Sequence, residues 1–269
     1  MLRYLILFVA ISVWAEDNAY KAAIAKWRQQ RETDLKADGG WLTVTGLFWL
    51  KEGPNRVATA PGVFEFHEGK TVFHADPGSH ATAAGKPVST IEMAPETSIE
   101  AGDLTLTVIE RSGRYGVRMK DKRSKLRTEF RGLRWFPVRE AYRVTAKFIA
   151  RPRQVSVPNI IGSHFEMASP GYAVFQLNGR ELRLEPVIEE GENELFFIFR
   201  DQTAGKETYP AGRFLYAALP RDGKVELDFN KAYSPPCAFT PYATCPLPTR
   251  ENMLPVRIEA GELRAGSAH

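Results

Sequence analysis

Acidic, amide and guanidinium side chains lie at the ends of predicted strands near residues 200 and 230. Asp201 follows an apolar run and Arg213 precedes another, while Asp228 and Asn230 share one strand face. A carboxylate pair such as Asp201 with Asp228 has the groups needed for acid–base catalysis or for binding a hard cation. The alternative is structural, with Arg213 and Asp228 as a buried ion pair and Asn230 capping the loop that follows. The sequence favours the structural alternative, because such pairs commonly organise irregular loops.

The segment Asn230–Asn252 comes next and is rich in proline and aromatic side chains. A stretch of this length without regular structure is either functional or disordered, and its proline and aromatic content favours order. An ordered loop of this kind either walls a binding site or plugs one end of a barrel. We therefore predict a rim site for a small molecule or a glycan in the 201–252 region. Its candidate ligand-binding residues are Arg213, Asp228, Asn230, Tyr233, Glu251 and Asn252.

A hydrolase that uses Asp228, Asp201 or His164 is the second functional hypothesis. His164 follows Ser163, but adjacent strand residues point to opposite faces, so the two are poor partners for each other. The sequence contains no Gly-x-Ser-x-Gly elbow, no His-Glu-x-x-His motif and no phosphate-binding loop. The segment 201–207 is a weak match to a calcium loop, because it lacks two of the acidic positions. The sequence thus predicts no metal and no cofactor, and it leaves open whether the protein is an enzyme.

A third hypothesis is an envelope protein that docks to anionic surfaces. Residues 111–143 contain 12 Lys and Arg and 3 acidic residues, whereas the whole chain of 269 residues has a net charge of +4. Such a block could contact anionic polysaccharide or lipid. Its cations alternate with apolar residues, which favours a solvated strand face with only weak anionic contact. The mild overall charge indicates no specific nucleic-acid partner.

Residues 1–15 have the pattern of a secretory signal peptide. Arg3 precedes an apolar stretch, and Val13 and Ala15 are the small residues that precede a cleavage site. The alternative is an N-terminal helix of the folded protein, but the segment lacks the polar face of an amphipathic helix. We predict an exported protein, periplasmic or secreted, with no transmembrane segment. In an oxidising compartment Cys237 and Cys245 are expected to form a disulfide, and a reactive thiol is the alternative.

The hydrophobic pattern places these groups on a mainly β scaffold. One helix over residues 16–40 opens the mature chain, with Tyr20, Ile24 and Trp27 on its apolar stripe. About a dozen short strands follow, at spacings typical of a sandwich or barrel. We predict an antiparallel β-sandwich or barrel-like fold of two packed β subdomains, residues 41–138 and 139–269.

Several segments resemble a bacterial family known as domain of unknown function 1684 (DUF1684). They are GWLTVTGLFWLKEG at residues 40–53, TYPAGRFL at residues 208–215 and DFNKAYSPPCAFTPYATCPLP at residues 228–248. The last is highly specific, because it is long and unusual in composition, and the resemblance extends over nearly all of the mature chain. The activity of the family is not established, so the resemblance implies no mechanism.

The first subdomain also resembles the sandwiches of forkhead-associated domains. The resemblance rests on residues 46–55, 101–106 and 115–120, which match the strand order of those domains. The loop after Asn55 reads Arg56-Val57-Ala58 and lacks their phosphate-binding pattern. This resemblance therefore implies at most a shape and no phosphopeptide binding.

Overall fold

The computed structural model describes residues 2–264, with side chains from residue 17 onward, so the predicted signal peptide lies outside the described side chains. The chain forms two compact units. The C-terminal unit comprises residues 2–33, 132–238 and 245–264, and the N-terminal unit comprises residues 34–131 and 239–244. No single cut in the sequence separates the units, because most of the first helix groups with strands more than a hundred residues later.

The N-terminal helix α1 extends over Leu2–Lys36, and its described side chains include the predicted apolar stripe. Ile24 and Leu35 on this stripe are fully buried. The helix ends shortly before Gly40, where an added Cβ atom would lie 2.4 Å from carbonyl oxygens of the last helical turn. The absence of a side chain at Gly40 therefore lets the chain turn closely past the end of the helix.

The N-terminal unit consists of two antiparallel sheets that share an apolar core. Its strands are β1 (Val44–Trp49), β2 (Gly53–Arg56), β3 (Gly62–His67), β4 (Lys70–Ala75), β5 (Thr82–Ala83), β6 (Lys86–Pro87), β7 (Thr90–Met93), β8 (Ser98–Ala101), β9 (Leu104–Arg111) and β10 (Arg114–Asp121), followed by helix α2 (Lys125–Thr128). The sheet orders are β1-β10-β9-β8-β5-β6 and β2-β3-β4-β7. Phe64 and Phe73 of the second sheet pack in one core with Leu106 and Val117 of the first, which is a sandwich-like arrangement.

The C-terminal unit also combines two antiparallel sheets around one core. Its strands are β11 (Arg143–Pro158), β12 (His164–Leu177), β13 (Arg180–Leu184), β14 (Glu194–Phe199), β15 (Arg213–Ala218) and β16 (Lys224–Asp228). Their order is β13-β12-β11-β16 in one sheet and β14-β15 in the other. Phe175 and Leu227 of the larger sheet share a core with Phe197 and Leu215 of the smaller one.

The segment Asn230–Asn252 is an ordered loop. Short 3-10 helices lie at the start of the loop (Phe229–Lys231), within it (Pro236–Ala238) and at its end (Arg250–Asn252). Further 3-10 helices lie outside the loop, at Trp41–Thr43 and Glu140–Tyr142. Backbone hydrogen bonds tie the loop to strands, among them a reciprocal pair between Tyr233 and Phe214 and one from Leu247 N to the Pro158 carbonyl at 2.7 Å. The predicted order of this loop follows from its contacts with β15 and with the end of β11.

The predicted fold class is confirmed: the protein is mainly antiparallel β, with several sheets and an N-terminal helix. Within the described residues no helix is both long enough and apolar enough to cross a membrane.

Candidate functional site

Asp201 and Arg213 form a buried ion pair where β14 and β15 meet. Arg213 Nη2 lies 3.0 Å from Asp201 Oδ1, and each side chain is 1% exposed. Arg213 also donates to the carbonyl oxygens of Ala260 and Ile258, and Ile258 N donates to Asp201 Oδ2 at 2.7 Å. Burial lowers the pKa of Arg213, and the Asp201 carboxylate opposes that effect. The pair therefore holds the C-terminal segment 258–260 in place.

The predicted ion pair between Arg213 and Asp228 is wrong, because Arg213 pairs with Asp201 and Asp228 has other partners. Asp228 Oδ1 accepts hydrogen bonds from Tyr20 Oη at 2.8 Å and from Asn230 N at 3.1 Å. Asn230 does not cap the following loop; its Nδ2 donates to Tyr20 Oη and to the Arg139 carbonyl, at 2.9 Å each. Burial, together with the Asp228 carboxylate, raises the pKa of Tyr20. This cluster joins α1 to the end of β16.

The candidate catalytic residues are not assembled into one site by the described contacts. Both oxygens of Asp201 accept hydrogen bonds, including one from Thr203 Oγ1 at 2.9 Å, and none of these donors is shared with Asp228. His164 is exposed at the first residue of β12. Ser163 Oγ donates to Asn159 Oδ1 at 3.1 Å, so its hydroxyl is used in closing the β11–β12 turn. Among the described residues, no group of three or more His, Cys, Asp or Glu side chains is arranged to hold a metal ion.

The remaining candidate ligand-binding residues lie in separate environments. The Tyr233 ring stacks on Tyr216 with centroids 6.3 Å apart, and the Arg31 guanidinium lies 4.1 Å from the Tyr233 centroid. Burial raises the pKa of Tyr233. Glu251 is exposed, whereas the adjacent Asn252 is 3% exposed. The Tyr233 ring is therefore already in contact with an aromatic ring and a guanidinium, which makes it a poor stacking platform for a sugar.

Asn252 links the end of β13 to β14. Its Nδ2 donates to the carbonyl oxygens of Glu185 and Ile198, at 2.9 Å each, and its Oδ1 accepts from Glu185 N at 2.9 Å. Every hydrogen of the amide group is thus used on backbone carbonyls. Asn252 positions the two chain segments and has no donor left for a ligand.

A small pocket lies beside Asn252, between β11, β14 and the end of the Asn230–Asn252 loop. Its enclosed volume is about 10 Å³, which is room for about one water molecule, and the remaining space between its lining residues is open to solvent. Its apolar lining consists of Val155, Val157, Val187, Phe196, Ile198 and Leu247, and its polar lining consists of Glu185, Thr249 and Asn252. The last residues of the loop therefore form one side of this pocket.

An ion pair lies at one wall of this pocket. Arg153 Nε and Nη2 donate to the two oxygens of Glu185 at 2.7 and 2.5 Å. The Glu185 side chain is 5% exposed and that of Arg153 is 46% exposed. The bidentate contact with Arg153 lowers the pKa of Glu185, although burial opposes it. The wall thus carries an ionised carboxylate that is held by a guanidinium in contact with solvent.

The sequence did not predict Arg153 and Glu185 as part of a site. The alternating pattern of β11 is interrupted at Pro152, and the ladder with β12 shifts register between Ala150 and Arg153. Proline removes a backbone donor, and such irregularities are typical of bulges. Past the bulge, Val155 and Val157 resume the alternation, which is the one sequence signal that indicates a buried wall here.

Cys237 and Cys245 lie side by side, but no disulfide joins them in the structure. Cys237 N donates to Cys245 Sγ at 3.2 Å, and Tyr209 Oη donates to the Cys237 carbonyl at 3.0 Å. Contact with the Cys245 thiol lowers the pKa of Cys237, while burial acts in the opposite direction. A disulfide between the two residues needs an oxidant in addition to proximity. Its formation in the exported protein stays a prediction.

Several cations of the basic stretch 111–143 have partners within their own unit. Arg127 Nη2 lies 2.7 Å from Asp38, and Arg123 Nε lies 2.7 Å from Asp103. The Arg114 guanidinium lies 4.1 Å from the centroid of Trp49. Exposed pairs of this kind contribute little to stability, but they reduce the charge available to an anionic surface. Docking through this stretch stays a prediction.

The structure defines a mainly antiparallel β protein with an N-terminal helix and a small apolar pocket. The chain belongs to the family described as protein of unknown function (DUF1684), whose model matches residues 128–263. This range includes the whole pocket lining and leaves residues 40–53 outside. The chain is also similar to an uncharacterized protein of Haloarcula marismortui with a solution NMR structure, at 31% identity, over 51% of this chain and 78% of that chain, with a TM-score of 0.44. No curated protein matches the chain.

Proposed function

We propose that the protein is exported and that its C-terminal unit binds a small molecule with an apolar end. The observation that carries the proposal is the pocket between β11, β14 and the loop end, with six apolar residues in its lining. Pockets with mostly apolar walls and a few polar groups are the usual form of small-molecule sites. The signal-peptide pattern of residues 1–15 supports export.

The lining indicates how a ligand would be oriented. An apolar group placed against Val157, Phe196 and Leu247 would be removed from water, which is favourable by about 25 cal/mol per Å² of apolar surface. The polar end would then lie toward Thr249 and the Arg153–Glu185 pair. An isolated charge against the apolar wall would be costly, so the ligand's charge, if it has one, belongs at this polar side.

The size of the pocket limits the ligand. Its enclosed volume of about 10 Å³ is far below the range of about 300–1,000 Å³ that is typical of drug-sized ligands, so a ligand can place only a small apolar group there. The apolar end of a ligand suits this shallow site better than a glycan ring with its many hydroxyl groups. Small molecules are therefore favoured over glycans in this proposal.

The hydrolase and envelope-docking hypotheses receive less support. Asp201 accepts hydrogen bonds on both oxygens and pairs with a buried arginine, which is the environment of a structural carboxylate. Cations of the basic stretch, such as Arg123 and Arg127, have acidic partners of their own.

Ligand-observed NMR with 1-hexanol and maltotriose tests the proposal. We expect 1-hexanol to bind the wild type and Thr249→Phe, which places a ring at the half-buried pocket edge, to weaken binding at least about tenfold. Thr145→Phe is the matched control, because Thr145 is an exposed residue of β11 outside the pocket. Equal binding by both variants, or binding of maltotriose alone, would overturn the small-molecule proposal.

A further inference from the structure

The two cysteines, Cys237 and Cys245, are not part of the pocket lining. Cys245 is 5% exposed and Cys237 is half-buried. Cys237 N donates a hydrogen bond to Cys245 Sγ at 3.2 Å, so the positive end of the N–H dipole points at that sulfur. The Cys245 sulfur is therefore the acceptor in this contact and lies within 3.2 Å of the Cys237 backbone.

The backbone around the cysteines is fixed independently of the sulfur atoms. Ile160 N donates to the Cys245 carbonyl at 3.0 Å, and Ala238 N donates to the Pro235 carbonyl at 2.9 Å. Pro246 directly follows Cys245 and forms an isolated bridge with Asn159 at the β11–β12 turn. Proline residues and these bonds reduce the number of conformations open to the segment. The backbone that carries the two cysteines is therefore held in place by the fold.

We propose that the reduced Cys237–Cys245 pair binds a soft monovalent metal ion, Cu(I). Thiolates are soft ligands that select Cu(I) over hard cations. Cu(I) is stable with two thiolates in a linear arrangement, so two cysteines suffice. A structural zinc site needs about four ligands, and no group of three or more candidate ligands is arranged for a metal among the described residues.

Binding is balanced by proton release. Each thiol loses its proton, each sulfur donates one electron pair to the ion, and no electron is transferred. Affinity should therefore rise with pH, as for other sites whose ligands must be deprotonated. A disulfide between Cys237 and Cys245 uses the same sulfur atoms, so the metal-bound and disulfide forms are alternatives.

Competition with the coloured Cu(I)–bicinchoninate complex, without oxygen, tests the site. Reduced wild-type protein is expected to remove about one equivalent of Cu(I) from the chelator. Cys237→Ser and Cys245→Ser are expected to lose this capacity. Met253→Leu is the matched control, because Met253 is a soft ligand that is 45% exposed outside the pair, and it should behave as the wild type.

Oxidised wild type serves as a second comparison that changes no side chain, in case a serine variant fails to fold. It should leave the chelator complex intact, and X-ray absorption of the loaded reduced protein should show two sulfur ligands. Failure of the reduced wild type to compete, or equal competition by the reduced and oxidised forms, would overturn the proposal. Neither result depends on the pocket, whose ligand is tested separately.

Discussion

Asp201 and Asp228 are both buried carboxylates, but their partners differ in charge. Asp201 faces the guanidinium of Arg213, which has 1% of its side chain exposed. Asp228 accepts from the neutral groups Tyr20 Oη and Asn230 N, and Lys231 Nζ is 4.0 Å away on the exposed side. Removing one charge of a buried pair leaves the other uncompensated, whereas a carboxylate bound by neutral donors has an uncharged substitute.

Asp201→Asn is therefore predicted to destabilise the protein far more than Asp228→Asn. The first change leaves Arg213 buried without a counter-charge, and a loss of about 3–5 kcal/mol is expected. In the second, an amide oxygen still accepts from Tyr20 and Asn230, and the expected loss is about 1 kcal/mol. Urea unfolding of the two variants gives both values. Losses of equal size would contradict the assigned roles.

Glu262 is another buried carboxylate, and its burial has a consequence for the pH dependence of stability. It is fully buried, and its Oε2 accepts from Arg31 Nε at 3.1 Å. Burial raises the pKa of Glu262, and Arg31 and Ser234 partly oppose this. The folded state thus keeps the Glu262 proton to a higher pH than the unfolded state, whose glutamate pKa is about 4.3. The contribution of Glu262 to folding stability therefore falls as pH rises from that value to the folded-state pKa.

Glu262→Gln removes this titration and provides its test. The stability of the wild type minus that of Glu262→Gln is predicted to decrease as pH is raised from about 4 to about 7. The loss of the Arg31 contact affects the size of the difference at any one pH but does not reverse the trend. Urea unfolding of both proteins across this range measures it. A difference that stays constant or increases would show that Glu262 does not have a raised pKa.

At the scale of elements, local turn signals were predictable and pairings over distance were not. Asn178-Gly179 is a sequence typical of two-residue hairpin turns and forms one here, because Leu177 pairs with Arg180 and both turn residues have positive φ. Asp222-Gly223 also forms a turn, but β15 pairs with β14 and β16 pairs with β11. The incorrect prediction of an Arg213–Asp228 pair arises from this separation of β15 and β16. Phe199 pairs with Arg213 across the β14–β15 ladder, and this pairing brings Asp201 close to Arg213. No residue of the turn itself indicates that the strands separate into two sheets.

The bulge in β11 explains a second feature that the pattern did not predict. Gly171 on β12 lies opposite Ala150, where the register shifts, and has φ of +149°. An added Cβ there would be 2.1 Å from the Ile149 carbonyl oxygen. A carbonyl on the neighbouring strand cannot move without breaking the ladder. The site wall beyond the bulge therefore depends on a residue without a side chain.

Gly171→Ala is predicted to cost more than about 3 kcal/mol of stability. Gly179→Ala is the matched control, because Gly179 also has positive φ (+72°) but nothing lies within 4 Å of an added Cβ. Left-handed strain alone costs about 1–2 kcal/mol. Urea unfolding separates the clash from the strain. Equal losses in the two variants would mean that the strand can shift to accommodate the methyl group.

At the scale of the whole molecule, contacts between residues distant in sequence determine which elements α1 binds, and the sequence pattern does not predict these partners. The apolar stripe of α1 predicts a buried helix face but not its neighbours. Tyr20 binds Asp228, 208 positions away, and Arg31 binds Glu262, 231 positions away. Periodicity reports which face of an element is buried and carries no information on such partners. The mainly β fold and the ordered loop were therefore predictable, whereas the grouping of α1 with the C-terminal strands was not.

Export and disulfide formation are linked, because the disulfide requires the oxidising compartment to which export delivers the protein. Cleavage after Ala15 leaves Tyr20 and Arg31 in the mature chain, so their contacts with Asp228 and Glu262 persist. We expect the exported protein to begin at Glu16 and to contain a Cys237–Cys245 disulfide, because the two residues are adjacent and the compartment is oxidising. Closing this short loop should add about 2–3 kcal/mol of stability relative to the reduced protein.

Intact mass spectrometry of fractionated cells, with and without alkylation after reduction, measures both features in one sample. Loss of residues 1–15 together with alkylation only after reduction is the expected result. A Cys237→Ser variant controls for export, because it should be cleaved at the same position while its remaining thiol reacts without reduction. Cytoplasmic protein that retains Met1 would refute export, and cleaved protein whose thiols both react at once would refute the disulfide alone. The two conclusions separate because cleavage is determined by the first residues of the chain, whereas the sulfur bond requires folding that brings residues 237 and 245 together.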